Sequence, residues 1–270
     1  MKRILTTCVA LWLAAAAGHA ANSKVRELLA ALKDQPAEAA NWMVIPVAGS
    51  TIGRDATVFH TELALSATPD YYSDARVAVA WLPVGHDASE DPVRHMTIPS
   101  EFDATFTLYR DGLASPGFGA LIVAVVDADG ALVSGPNVEL RGEIRVWSLS
   151  KCGGEASFAY HPGRTAGLDV GTLNGLILGG GFRSNVGLVN ADTQAHTWRV
   201  RYGALDGNEP TELVVAVPAA SSKIVGLTPL ASGPITVEVE GESTGLPWTA
   251  WGATVDNASG DAWYAALSAF

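Results

Sequence analysis

Hydrophobic and polar positions follow three successive patterns along the chain. Lys2 and Arg3 lead into an apolar run from Ile4 to Ala17, after which Gly18 and Ala20 place small residues at the minus three and minus one positions of a cut before Ala21. A basic start, an apolar middle and a small-residue cut site predict a secretory signal peptide over residues 1–20. The run is too short to span a bilayer, and nothing downstream reaches the roughly 18 consecutive apolar residues a membrane helix needs. No membrane span is expected. Val25, Leu28, Leu29 and Leu32 then recur at helical spacing until Gln35-Pro36 stops them, which predicts one short amphipathic helix over about Lys24 to Lys33, within a lead-in of residues 21–43.

Beyond Trp42 the period changes to two. Every second residue is large and apolar in Val77 to Trp81, Trp198 to Tyr202, Leu213 to Val217 and Ile235 to Val239. Such segments, bounded by Asp-Gly, Gly-Pro and Asn-Ala-Ser-Gly turns, predict an antiparallel β-sandwich. The absence of strand–helix–strand alternation argues against a parallel nucleotide-binding sheet.

The patterns also repeat. Phe59 to Leu65 aligns with Phe182 to Leu188, the strand at Val77 to Trp81 with that at Trp198 to Tyr202, and Ile98-Pro99 with Val217-Pro218. Gly119 to Val123 aligns with Gly233 to Val237, Trp147 with Trp251, and Gly154 to Phe158 with Gly260 to Tyr264. Order kept through six blocks predicts an all-β fold of two tandem antiparallel β-sandwich domains made by internal duplication. The first spans residues 44–162, the second 167–270, and residues 163–166 link them. Carrying the phrases Phe182 to Asn190 and Val255 to Asp261, the chain resembles a loose group of uncharacterised secreted bacterial proteins with tandem β-sandwich modules. The resemblance implies that architecture and export, and no activity.

Charge narrows the function. Lys and Arg number 17 against 28 Asp and Glu, a formal charge of −11, whereas a general nucleic-acid binder needs a basic face. Hydrophobic residues make up 48% and charged residues 17%, which excludes a disordered polyelectrolyte and implies a buried core. Removal of the leader also removes Cys8, leaving Cys152 alone. One cysteine excludes an internal disulfide and a cysteine zinc site, so Cys152 is either an incidental thiol in a turn or an intermolecular bridge.

Candidate chemistry is sparse. Gly241-Glu242-Ser243-Thr244-Gly245 matches a hydrolase elbow, but Pro247 follows where the elbow needs a helix, and the final histidine, His196, precedes the serine. A turn is the better reading. His86 to His95 gathers two imidazoles and three carboxylates, yet Pro92 prevents one helical face from carrying both histidines, so a loop is expected. Asp127 to Gly130 and Asp256 to Asp261 lack the spacing of a calcium loop and read as hairpin turns. Gly179-Gly180-Gly181 lacks the Lys-Ser/Thr of a phosphate loop. Trp248, Trp251, Trp263 and Tyr264 crowd the second domain; alternation with small or polar residues puts most of these rings in the core, and rings left exposed would form a sugar-stacking platform. No catalytic residue, metal ligand or cofactor site is expected. The leading reading is a non-catalytic secreted or periplasmic structural or interaction protein. The alternative is a carbohydrate- or surface-binding module, with an unknown protein or glycan as partner.

Overall fold

The computed structural model describes residues 23–35, 41–52, 58–68, 74–99, 104–107, 111–133, 135, 138–149, 170–204, 209–228, 232–241, 248–259 and 262–269. The expected leader and linker, Cys152 and Ser243 lie outside them. Among the described residues one helix, α1 (Val25–Lys33), precedes sixteen strands. The first half holds β1 (Trp42–Ile52), β2 (Val58–Thr68), β3 (Ala75–Pro83), β4 (Arg94–Ile98), β5 (Ala104–Thr107), β6 (Gly117–Val126) and β7 (Glu139–Leu149). The second holds β8 (Val170–Leu178), β9 (Phe182–Asn190), β10 (His196–Ala204), β11 (Thr211–Val217), β12 (Ser221–Gly226), β13 (Gly233–Gly241), β14 (Trp248–Asp256), β15 (Ala262–Ala266) and β16 (Ser268–Ala269). All ladders between these strands are antiparallel.

The chain is an all-β pair of tandem sandwiches with one topology. In the first half, β4-β3-β6-β1 form one layer and β5-β2-β7 the other; in the second, β11-β10-β13-β8 and β12-β9-β14 repeat the same order. Details of the backbone agree. Each first strand bulges once, between Ile45 and Ala48 in β1 and between Leu173 and Leu176 in β8. Each then leads into the next through a matching pair, Thr51 with Phe59 and Gly179 with Phe182. A buried hydroxyl sits two residues further on. Thr61 Oγ1 accepts from Gly49 N and donates to Gly49 O, both at 2.8 Å, while Ser184 Oγ donates to Ile177 O at 2.7 Å.

These landmarks test five of the six aligned blocks; Gly154 to Phe158 lies outside the described residues. Phe59 corresponds to Phe182, and Trp81 and Tyr202 face equivalent partners, Leu121 and Val237, across the ladder. Ile98 and Val217 close their ladders at Ala75 and His196 alike. Two blocks are corrected. Gly119 pairs with Ala48, the counterpart of Leu176, which pairs with Ile235, so Gly119 corresponds to Ile235 and not Gly233. Trp147 opposes His60 whereas Trp251 opposes Gly187, so these tryptophans lie four residues apart in register. A slip of two or four residues preserves strand alternation, so pattern alone does not detect it.

Each sandwich encloses its own core. Met43, Leu63, Val79, Trp81, Leu121 and Ile144 lie in the first, and Leu176, Leu188, Trp198, Tyr202, Val237 and Trp248 in the second. A third core lies outside both, on the other face of β3, β6 and β1. There Ala78, Ala80, Ala120 and Ala124 present small side chains, and Val25, Leu28, Leu29 and Leu32 of α1 pack on them with Val189, Ala191 and Ala220 of the second sandwich. Burial on both faces makes β3 and β6 almost continuously buried.

Candidate functional site at the junction of the sandwiches

The junction concentrates the polar contacts that join distant parts of the chain. The loop from Val84 to Val93, where sequence placed the histidine and carboxylate cluster, turns toward two neighbours. Asp91 O and Ser89 O accept from Val25 N and Arg26 N at 3.0 Å each, satisfying N–H groups that the first turn of α1 leaves open. Lys24 and Arg26 both pair with Glu90, holding its carboxyl below the usual carboxylate range, chiefly through the Lys24 hydrogen bond. On its other side Gly85 N donates to Ser222 O at 2.8 Å, and Ser222 Oγ donates to Leu82 O at 3.2 Å. The loop is a clasp between helix and second sandwich. Among the described residues no group of three or more His, Cys, Asp or Glu side chains is placed to hold a metal.

On the second-sandwich side, Asn190 ends β9 and anchors two turns. Its Nδ2 donates to Gln194 O and Pro218 O at 2.7 Å each, and its Oδ1 accepts from Asp192 N at 3.1 Å. Asp192 Oδ2 lies 2.8 Å from His196 Nε2, and Asp192 O accepts from Ala220 N at 2.8 Å. Burial pushes the Asp192 carboxyl up, but the His196 hydrogen bond, Thr193 N and the charge of Lys33 outweigh it and leave the group below its ordinary value. Ala220 adopts φ 44°, a left-handed backbone that carries its carbonyl toward Ala88 N, 3.4 Å away. Asn190 belongs to the phrase Phe182 to Asn190 that stands out in the sequence; Asp192 and Ala220 do not, because Ala220 N–Asp192 O and Ala88 N–Ala220 O join residues distant in the chain, and the local Asp192–His196 pair matches no recognised motif.

The imidazole and hydroxyl groups do not assemble a nucleophile with an oriented base among the described residues. Ser23 Oγ lies 3.2 Å from His95 Nε2, but His95 Nδ1 is buried with no hydrogen-bond partner, so no carboxylate orients the ring. Burial, and then Arg76, push the His95 pKa down. His196 spends its Nε2 on Asp192 and meets Trp198 edge-on, ring centres 6.1 Å apart.

Two rings of the alternative platform, Trp248 and Trp251, are buried. Trp248 is 2% exposed and packs in the second core, 6.2 Å from Trp198. Trp251 is 7% exposed and points from the opposite face of β14, where that strand meets β1. It lies across Gly187, where an added Cβ would come within 2.0 Å of the indole, and stacks on Tyr264 at 6.0 Å and 24°. Tyr264 in turn packs against the core of the first sandwich. Trp263 is half-exposed, donating Nε1–H to Gly175 O at 2.9 Å and meeting Phe182 edge-on. Three of the four rings therefore serve packing, as alternation with small residues demands.

The acidic motifs are turns. Asp127 Oδ1 accepts from Asp129 N and Ala131 N at 2.9 Å each, and Asp256 Oδ1 accepts from Ala258 N at 2.7 Å. Gly179, Gly180 and Gly181 take φ of 71°, 61° and 95°, which lets β8 reverse directly into β9.

No protein-family pattern and no curated protein matches the chain. Among solved structures, a point mutant of the major pilin from Streptococcus pyogenes aligns over 84% of this chain and 91% of that one, with 12% identity and a TM-score of 0.21. A likeness of that size carries no argument about fold or function. No described helix is long and apolar enough to cross a membrane.

Proposed function

We propose that the chain is a non-catalytic exported protein with a structural or interaction role, whose two sandwiches act as one rigid unit. The observation that carries this reading is the third core, which draws on α1, on the outer face of the first sandwich and on the second sandwich at once. A junction packed like an interior holds two surfaces at a set distance, which a spacer or scaffold needs. Asp192, His196 and Asn190 are committed to hydrogen bonds at that junction. The glycan alternative loses its platform with the burial of Trp248 and Trp251.

Two measurements on the exported protein test the reading. Intact mass should show a chain starting at Ala21; a mass retaining residues 1–20 contradicts export through that leader. Incubation with a fluorophosphonate probe and with ester substrates should leave the protein unlabelled and the substrates intact. Labelling that disappears in Ser243→Ala would make the protein a hydrolase and overturn the proposal.

A further inference from the structure

The edges of the sheets are guarded unequally. An edge strand offers unpaired N–H and C=O groups to another chain, and proteins blunt such edges with charge, proline, shortness or cover. β1 contains Pro46, β4 begins with Arg94 and His95, β5, β15 and β16 have four, five and two residues, and β7 carries Arg141 and Arg145. β12 carries Lys223 and is bridged to Val84 through Ser222. β11 has no proline within it, no lysine or arginine and, among the described residues, no covering strand. It reads Thr-Glu-Leu-Val-Val-Ala-Val, stands at the end of its sheet, and pairs among the described residues only with β10. Its one charged side chain, Glu212, is bound to Arg201 at 2.8 Å, and Arg201 also holds Glu238 at 2.9 Å. Val214, at its centre, is 67% exposed.

We infer that the free edge of β11 pairs antiparallel with β11 of a second copy of this chain, about a two-fold axis at Val214. Three features select that occupant and register. Pro210 and Pro218 flank the strand and, lacking N–H groups, confine pairing to Thr211–Val217, whose midpoint is Val214. Pairing about Val214 sets Glu212 beside Ala216 of the copy and Val214 beside its twin, so no like charges oppose each other. It also sets Leu213, half-buried at the edge, beside Val215 of the copy, which continues the apolar inner face from one sheet into the next. The contact is self-complementary and closes as a dimer.

A seven-residue strand pair is smaller than a standard interface of roughly 1,600 Å², so the association should be concentration-dependent. Sedimentation velocity on the purified protein should show the mean mass rising toward twice the chain mass at about 200 µM, the weak end of specific association. Val214→Lys places two ammonium groups face to face and should remain monomeric at an unchanged melting temperature. Val214→Cys, made with Cys152→Ser, should form a covalent dimer on oxidation, because directly opposed residues have Cα atoms about 4.5–5.5 Å apart. Monomeric mass for the wild-type protein throughout, or a dimer indifferent to Val214→Lys, would overturn the inference.

Discussion

Gly187 shows how narrowly the junction is fitted. Any side chain there meets the indole of Trp251, itself stacked on Tyr264 and closed in between the sandwiches. Gly187→Ala should therefore destabilise the protein by about 2 kcal/mol, the usual scale of overpacking, read as a lower urea midpoint at unchanged slope. An unaltered midpoint would mean that the ring moves freely. His95 governs a different response. Its burial and the neighbouring Arg76 favour the neutral ring, so the folded pKa lies below the unfolded value of roughly 6.5. The folded state then binds fewer protons: the contribution is complete above the unfolded value and is lost as pH falls below it. Acidification below about pH 6.5 should lower stability, and His95→Gln should flatten that dependence. Asp192 acts in a lower window. With its folded pKa depressed, its contribution is present above roughly 3.9 and is lost as pH falls through the folded value, a loss that Asp192→Asn should remove from the acid limb.

At the scale of elements, α1 serves as a wedge. It is only nine residues long, short of what an isolated helix needs in water; tertiary contact holds it, through loop carbonyls at its N-terminus and through Leu28, Leu29 and Leu32 on a bed of alanines. Leu29, 2% exposed, faces that bed, and Leu29→Ala should cost about 3 kcal/mol. If helix and junction are one structure, the substitution should also raise hydrogen exchange at Gly85 and Ala88; exchange confined to the helix would contradict the coupling. The helix was legible in the sequence because its period of 3.6 stands against strands of period two. Strand identity was legible for the same reason, and Phe59 and Phe182 could be matched because each leads the same alternating phrase at or next to the start of its strand. The register of Gly119 and Trp147 was not, since alternation repeats every two residues and admits slips of two and four. The alanines of β3 read as the small members of an alternating strand and gave no sign of the helix lying on them.

For the whole molecule, the junction was the least legible feature. Its contacts join residues as far apart as Leu82 and Ser222, and the residue types involved, Ser, Asn, Asp and Ala, are common in turns. The same separation makes it informative: a contact between halves of a duplicated chain decides whether they behave as two domains or one. The third core predicts one, with both sandwiches and α1 unfolding together. Differential scanning calorimetry tests this most directly. A rigid unit gives a single transition whose calorimetric and van't Hoff enthalpies agree, with a ratio of about 1, and a common downward shift of that transition in Leu29→Ala. Two resolved transitions, or one whose calorimetric enthalpy is about twice the van't Hoff value, would show independent modules and contradict the rigid unit.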